Sequence, residues 1–192
     1  MMASYSCNAT VMFCDIRNFT MLFEKKDPIE AISFANEVLA VLGKEVENNK
    51  GVVDRFTGDG FLAHFGIDET DMNHADLACR TALDLRIRLK AINSDRYLNE
   101  ENVLNIGVGI HTGEVAVGEI TSGNFTQHTI LGDTVNTASR IESLTKFFSV
   151  DSLISESTKN HLTEELKLQK MPLKKLKGKE RNVQTFWLLP MN

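Results

Sequence analysis

The sequence predicts an α/β (α+β) fold: a βαββαβ core with a mixed, mostly antiparallel sheet and added C-terminal strands. Three observations carry this. Two long stretches, residues 28–48 and 71–93, repeat apolar residues every three or four positions, as one-faced helices do. Between them lie short apolar runs bounded by Gly, Asp and Asn, as strands are. These runs come in adjacent pairs as well as singly, so hairpins alternate with crossovers, which a doubly wound parallel sheet does not allow.

The elements follow in chain order. Residues 10–14 (TVMFC) form a short buried strand that ends at Asp15, and residues 18–23 lead into a short helix. Asp27 and Pro28 cap the first long helix, whose apolar stripe is Ile32, Ala35, Leu39, Leu42 and Val46. Gly51 stops it. Residues 52–57 and 60–65 are two strands about Gly58-Asp59-Gly60, hence a hairpin. The second long helix carries Ala75, Ala78, Ala82, Leu85 and Leu89, whose alanines suit close packing on a sheet, and residues 95–102 read as a loop. Residues 103–111 form a strand whose internal glycines mark close backbone approach. A turn at 112–114 returns the chain through a strand at 115–120, and residues 125–131 are extended again. A helix at 134–144, a strand at 147–154, a short helix at 155–162, a basic loop at 174–179 and a last strand at 183–189 complete the chain.

Composition narrows the function. A chain of 192 residues with 42% apolar and 24% charged residues suits one globular domain, 1–192, and excludes a disordered or fibrous chain. Acidic residues outnumber basic ones, 26 to 21, so no nucleic-acid footprint is expected. Cys7, Cys14 and Cys79 fit no zinc spacing and read as reduced thiols in a cytoplasmic setting. No run approaches a membrane helix, and the N-terminus lacks the pattern of a secretion signal. There is no P-loop, no dinucleotide fingerprint, no HExxH and no nucleophile elbow.

The chemistry-bearing residues are few. Asp15 ends a buried strand and Asp59 sits in a hairpin tip, two positions from which carboxylates can reach one cleft and hold Mg²⁺. The alternative reading is that Asp59 is simply a turn residue and Asp15 a helix cap. Asn136 and Arg140 lie four apart on one helix, sharing a face that suits a ribose and a polyphosphate, or merely solvent. The basic stretch LKKLKGK at 173–179 could embrace a triphosphate or be a solvated surface.

Five blocks, in order, then resemble one family. VMFCDIRNFT (11–20), VVDRFTGDGFLAHFG (52–66), GVGIHTGEVAVG (107–118), HTILGDTVNTASR (128–140) and the KGK at 177–179 are similar to the class III adenylyl and guanylyl cyclase catalytic domain, over about residues 9–188. The resemblance implies a ferredoxin-like core. It implies that Asp15, Asp59 and the backbone of Ile16 hold two Mg²⁺ or Mn²⁺ ions. Asn136 orients the ribose, Arg140 stabilises charge on the α-phosphate, and Lys177 contacts the terminal phosphates. Arg55 and Thr129 recognise the base, and Phe19 and Thr20 belong to the nucleotide-binding set. The implied reaction is attack of the ribose 3′ oxygen on the α-phosphorus with loss of pyrophosphate, at sites shared between the subunits of a homodimer. Sensor or membrane segments are often joined to such domains.

ATP is the expected substrate. A cationic donor at position 55 suits the acceptor N1 of adenine and faces donors on guanine, where the family's guanylyl cyclases usually place Glu. Arg55 stands where Lys is usual among the adenylyl cyclases, and Thr129 where others have Asp. A guanylyl cyclase, a non-catalytic nucleotide-binding domain, a diguanylate cyclase and a structural domain are the rival readings. Keeping Asp15, Asp59, Asn136 and Arg140 argues against the second, and the Gly-Asp-Gly tip against the third.

Overall fold

The computed structural model describes residues 4–24, 27–67, 73–175 and 182–191. Strand β1 (Tyr5–Ile16) is followed by helices α1 (Phe19–Phe23) and α2 (Pro28–Asn48), the hairpin β2 (Val52–Phe56) and β3 (Gly60–Phe65), and helix α3 (His74–Leu98). Then come β4 (Ile106–Ser122), β5 (Phe125–Leu131), α4 (Asp133–Phe148), β6 (Ser152–Ser155) and α5 (Glu156–Asn160). Short strands close the chain: β7 (Leu168–Lys170), β8 (Lys174–Lys175), β9 (Asn182–Val183) and β10 (Thr185–Leu188).

The main sheet runs in the order β2-β3-β1-β4-β6-β10-β7, with β5 paired to β4 beside it. Its first four strands are the expected βαββαβ core, with β1 antiparallel to both neighbours. The β4–β6 pair is parallel, so the sheet is mixed and mostly antiparallel as predicted. Strand periodicity explains the layering, because successive side chains point to opposite faces. Met12, Cys14 and Ile16 pack with α2 and α3 through Leu39, Leu42, Val46, Ala78, Ala82 and Leu85. Ala9 and Val11 point the other way, toward Val135 and Ala138 of α4. Asp27 caps α2 by accepting from the Ile29 N–H at 2.9 Å, with Pro28 in the first turn.

Several boundaries differ from those expected. The expected turn at 112–114 is absent: β4 runs unbroken for 17 residues, with each residue from Ile106 to Val117 opposite one of β1. The Thr10 and Thr112 hydroxyls meet across the pair at 2.7 Å, and a side chain at Gly113 would meet Thr134 Oγ1 at 2.8 Å. The glycine therefore admits helix α4 rather than a reversal. Gly107 and Gly109 serve the same end, since side chains there would collide with Arg17 and with the backbone of α4 at Glu142. Helix α3 continues to Leu98, through four positions expected to be loop. Helix α4 reaches Phe148, so the strand expected at 147–154 is only β6. The strand at 183–189 is divided between β9 and β10, and Ile32 of the α2 stripe is exposed.

Candidate active site

Asp15 and Asp59 come together at the end of the sheet where β1 meets the β2–β3 tip. Asp15 lies opposite Gly60, and the Ile16 N–H donates to the Asp59 carbonyl at 2.9 Å. A side chain at Gly60 would strike the Cys14 carbonyl oxygen, so glycine permits this approach. After Arg17 the chain turns through Asn18 in the left-handed region (φ 57°), which Asn tolerates, and enters α1.

The two carboxyls and Ile16 line a cleft of about 420 Å³ with Phe19, Glu142, Ser143 and Lys146. The Asp15 carboxyl is held up at about 6 by burial and then by the neighbouring Asp59 charge, with Arg17 opposing. Its Oδ1 is buried without a hydrogen-bond partner among the described residues. A divalent cation fits here, because it would supply the missing partner for Oδ1 and offset the repulsion between the carboxylates. Among the described residues no group of three or more Asp, Glu, His or Cys converges, so other ligands would come from backbone or substrate oxygens.

Two residues missed by sequence reasoning brace this cleft. Arg17 pairs with Glu142 of α4, Nη1 to Oε1 at 3.0 Å, and both are largely buried. Burial holds the Glu142 carboxyl up at about 7, against the pull of Arg17. The pair ties the loop after Asp15 to the helix that carries Arg140. Its only trace in the sequence is the proximity of Arg17 to Asp15 and of Glu142 to Arg140.

Arg55 and Thr129, the pair that the resemblance assigns to the base, meet. Arg55 Nη1 donates to Thr129 Oγ1 at 2.7 Å. A third residue joins them: Asp54 accepts from the Thr129 hydroxyl at 3.3 Å and lies 3.4 Å from Arg55 Nη1. Adjacent strand residues normally face opposite ways. A register shift between Val53 and Arg55 makes Asp54 the extra residue of a β-bulge, which re-aims its side chain. Asp54 and Thr129 line a cleft of about 270 Å³ with His64 and His128, and this cleft shares no lining residue with the carboxylate cleft.

Helix α4 buries Val135, Ala138 and Ile141, while Asn136 is exposed and Arg140 half-buried. Neither polar side chain has a hydrogen bond or ion pair among the described residues. Phe19 stacks near Phe23 and Phe34, with ring centroids 4.9 and 6.2 Å away. Thr20 follows it in α1, but its side chain lies outside the described residues, as does Lys177. Cys14 and Cys79 are buried, Cys7 is partly so, and no two of the three are joined in a disulfide. No helix among the described residues is long and apolar enough to cross a membrane.

Comparisons with known proteins identify the family of the fold. The family model described as "Adenylate and Guanylate cyclase catalytic domain" matches residues 1–190. The chain is 35% identical over 158 residues to the adenylate cyclase of Anabaena cylindrica, covering 80% of this chain and 30% of that protein. It is 35% identical over 136 residues to the receptor-type guanylate cyclase gcy-23 of Caenorhabditis elegans, covering 70% of this chain and 12% of that one. The chain thus spans less than a third of these relatives. Among solved structures, the adenylyl cyclase CyaB of P. aeruginosa superposes with a TM-score of 0.91 at 26% identity, covering 100% of this chain and 98% of that one. The guanylyl cyclase Cya2 superposes with a TM-score of 0.90 at 25% identity, covering 100% and 96%. Relatives acting on either base match equally well, and the frame they share extends over nearly every residue: the chain belongs to the class III adenylyl and guanylyl cyclase catalytic domain family.

Proposed function

We propose that this domain is an adenylyl cyclase, converting ATP to 3′,5′-cyclic AMP and pyrophosphate as a homodimer, on the cytoplasmic side. The observation that carries the choice of base is the Arg55–Thr129 contact. A guanidinium only donates, so its remaining N–H groups suit the acceptor N1 of adenine and would oppose the donors of guanine. The choice of homodimer is supported by the two clefts. One chain holds the carboxylates in one and the Arg55–Thr129 group beside another, so a second copy can complete each site.

In this reading Asp15 and Asp59, with the backbone of Ile16, hold two Mg²⁺ or Mn²⁺ ions. When bound, such ions would supply Lewis-acid chemistry, lowering the pKa of the attacking hydroxyl and offsetting phosphate charge. Asn136 orients the ribose so that its 3′ oxygen faces the α-phosphorus. A new O–P bond forms there, the bond to the bridging oxygen breaks, and pyrophosphate leaves. Arg140 stabilises the charge that grows on the α-phosphate. Lys177, with Phe19 and Thr20 of α1, belongs to the nucleotide-binding set.

The test is incubation of the concentrated domain with ATP or GTP, in Mg²⁺ and separately in Mn²⁺, with products identified by mass. Cyclic AMP from ATP, lost in Asp59→Ala, is the expected result. Cyclic GMP in its place overturns the base assignment, and no cyclic product from a verified dimer overturns the enzyme reading.

A further inference from the structure

We infer that Asp54 is a specificity-determining residue, which sets the base preference by fixing the direction of the Thr129 hydroxyl. This rests on the reading of Arg55 and Thr129 as the base-recognising pair. A threonine hydroxyl can donate one hydrogen bond and accept two, so alone it cannot tell the exocyclic N6–H of adenine from the O6 of guanine. Here two of its three options are already used. Arg55 can only donate, so its 2.7 Å contact occupies one hydroxyl lone pair. Asp54 accepts, so the 3.3 Å contact takes the hydroxyl hydrogen. One lone pair remains. Thr129 can then accept from adenine N6–H, whereas guanine O6 would meet it lone pair to lone pair, which is costly away from water.

The arrangement is built in. The Asp54 side chain is 4% exposed, held under Arg55 by the β-bulge. Thr129 is likewise 4% exposed and lies opposite Gly118 in the β4–β5 pair. Neither group is free to turn toward solvent and reverse its role. Asp54 itself need not touch the nucleotide; it positions the group that does.

The test is the ratio of kcat/KM for ATP and GTP in Asp54→Asn. The amide is nearly isosteric but can donate to Thr129, which frees the hydroxyl hydrogen to point at O6. The ratio should fall at least about tenfold, mainly through a gain for GTP. In a Thr129→Val background the same change should leave the ratio within about twofold, because the group through which Asp54 acts is gone. An unchanged ratio in folded, active Asp54→Asn overturns the inference, as does an equal fall in the Thr129→Val background. If Asp54→Asn does not fold, Thr129→Ser and Thr129→Val carry the test, and equal ratios in the two overturn it. Dissociation constants of 3′-deoxyATP and 3′-deoxyGTP, which cannot cyclise, give the same discrimination without turnover. If the wild-type protein makes no cyclic product but its binding ratio responds to Asp54 as described, the enzyme reading fails and this one stands. If the protein is an ATP-preferring enzyme whose ratio is indifferent to Asp54, the enzyme reading stands and this one fails.

Discussion

The two polar clusters of this domain are opposites. Around Asp15 and Asp59 two carboxylates share a cleft, one oxygen is buried without a partner among the described residues, and burial pushes a carboxyl up. Around Arg55, Asp54 and Thr129 each close contact pairs a donor with an acceptor or a cation with an anion. The first cluster is unsatisfied alone and gains from a cation. The second is already satisfied and can act as a fixed template. Charge chemistry suits the first kind of site, and discrimination between similar shapes suits the second.

The contrast can be broken most sharply at Asp59. Asp59→Ala should lower turnover about a thousandfold, the several kcal/mol expected of lost cation chemistry. Binding of 3′-deoxyATP over 3′-deoxyGTP should keep its ratio, and loss of that ratio would mean that the clusters are not separable. The next largest effect lies at the brace. Arg17→Met leaves the largely buried Glu142 without its counter-charge and drives its carboxyl above the present value of about 7, so that at pH 8 it must bind a proton or stay a lone buried charge, which should cost about 1–2 kcal/mol in urea unfolding. Adding Glu142→Gln should recover most of that, so a double variant as unstable as the single one would count against a buried ion pair.

Thr129→Val tests the satisfied cluster. It leaves Asp54 and Arg55 without their shared hydroxyl, and ATP affinity should fall by about 1–2 kcal/mol with kcat changed less. The smallest effect has the opposite sign. Asp15→Asn should end turnover yet stabilise the metal-free chain by about 1 kcal/mol at pH 8, after discounting for solvent screening. The sign follows from linkage. A carboxyl at about 6 when folded, against 3.8 unfolded, keeps its proton longer in the folded chain. Stability therefore falls as pH rises from about 4 to about 6, and the penalty is full above that. The variant should lose the Asp15 part of this slope and keep the shallower fall that the raised Glu142 carboxyl, at about 7, adds in the same window. A thermal melt across pH 4–8 without added metal decides it, and a wild type as stable as Asp15→Asn at pH 8 would sink the argument.

Much of this was legible in the chain itself. Helical stripes placed α2 and α3, and the Gly-Asp-Gly tip placed the β2–β3 hairpin, because three- and fourfold periodicity and turn glycines are local signals. Asp15 and Asp59 stand out by their strand-end positions and Arg55 and Thr129 only through the family resemblance, and the structure brings the first pair together and the second pair into contact. The stretch at 112–114 misled because its glycine resembles a turn residue. What holds it straight is the pairing with residues 8–10 of β1, about a hundred positions away, and the helix lying across it.

The sequence by itself determined which residue types stand at strand ends and on helix faces, since those follow from neighbours within a turn or two. Only the tertiary structure decided that Glu142 would brace Arg17 and that Asp54 would face the same way as Arg55. Strand alternation alone sends adjacent side chains to opposite faces, and a one-residue bulge reverses that rule locally. Whether a bulge forms depends on how β2 registers against β3, a long-range pairing that no stretch of the chain encodes alone.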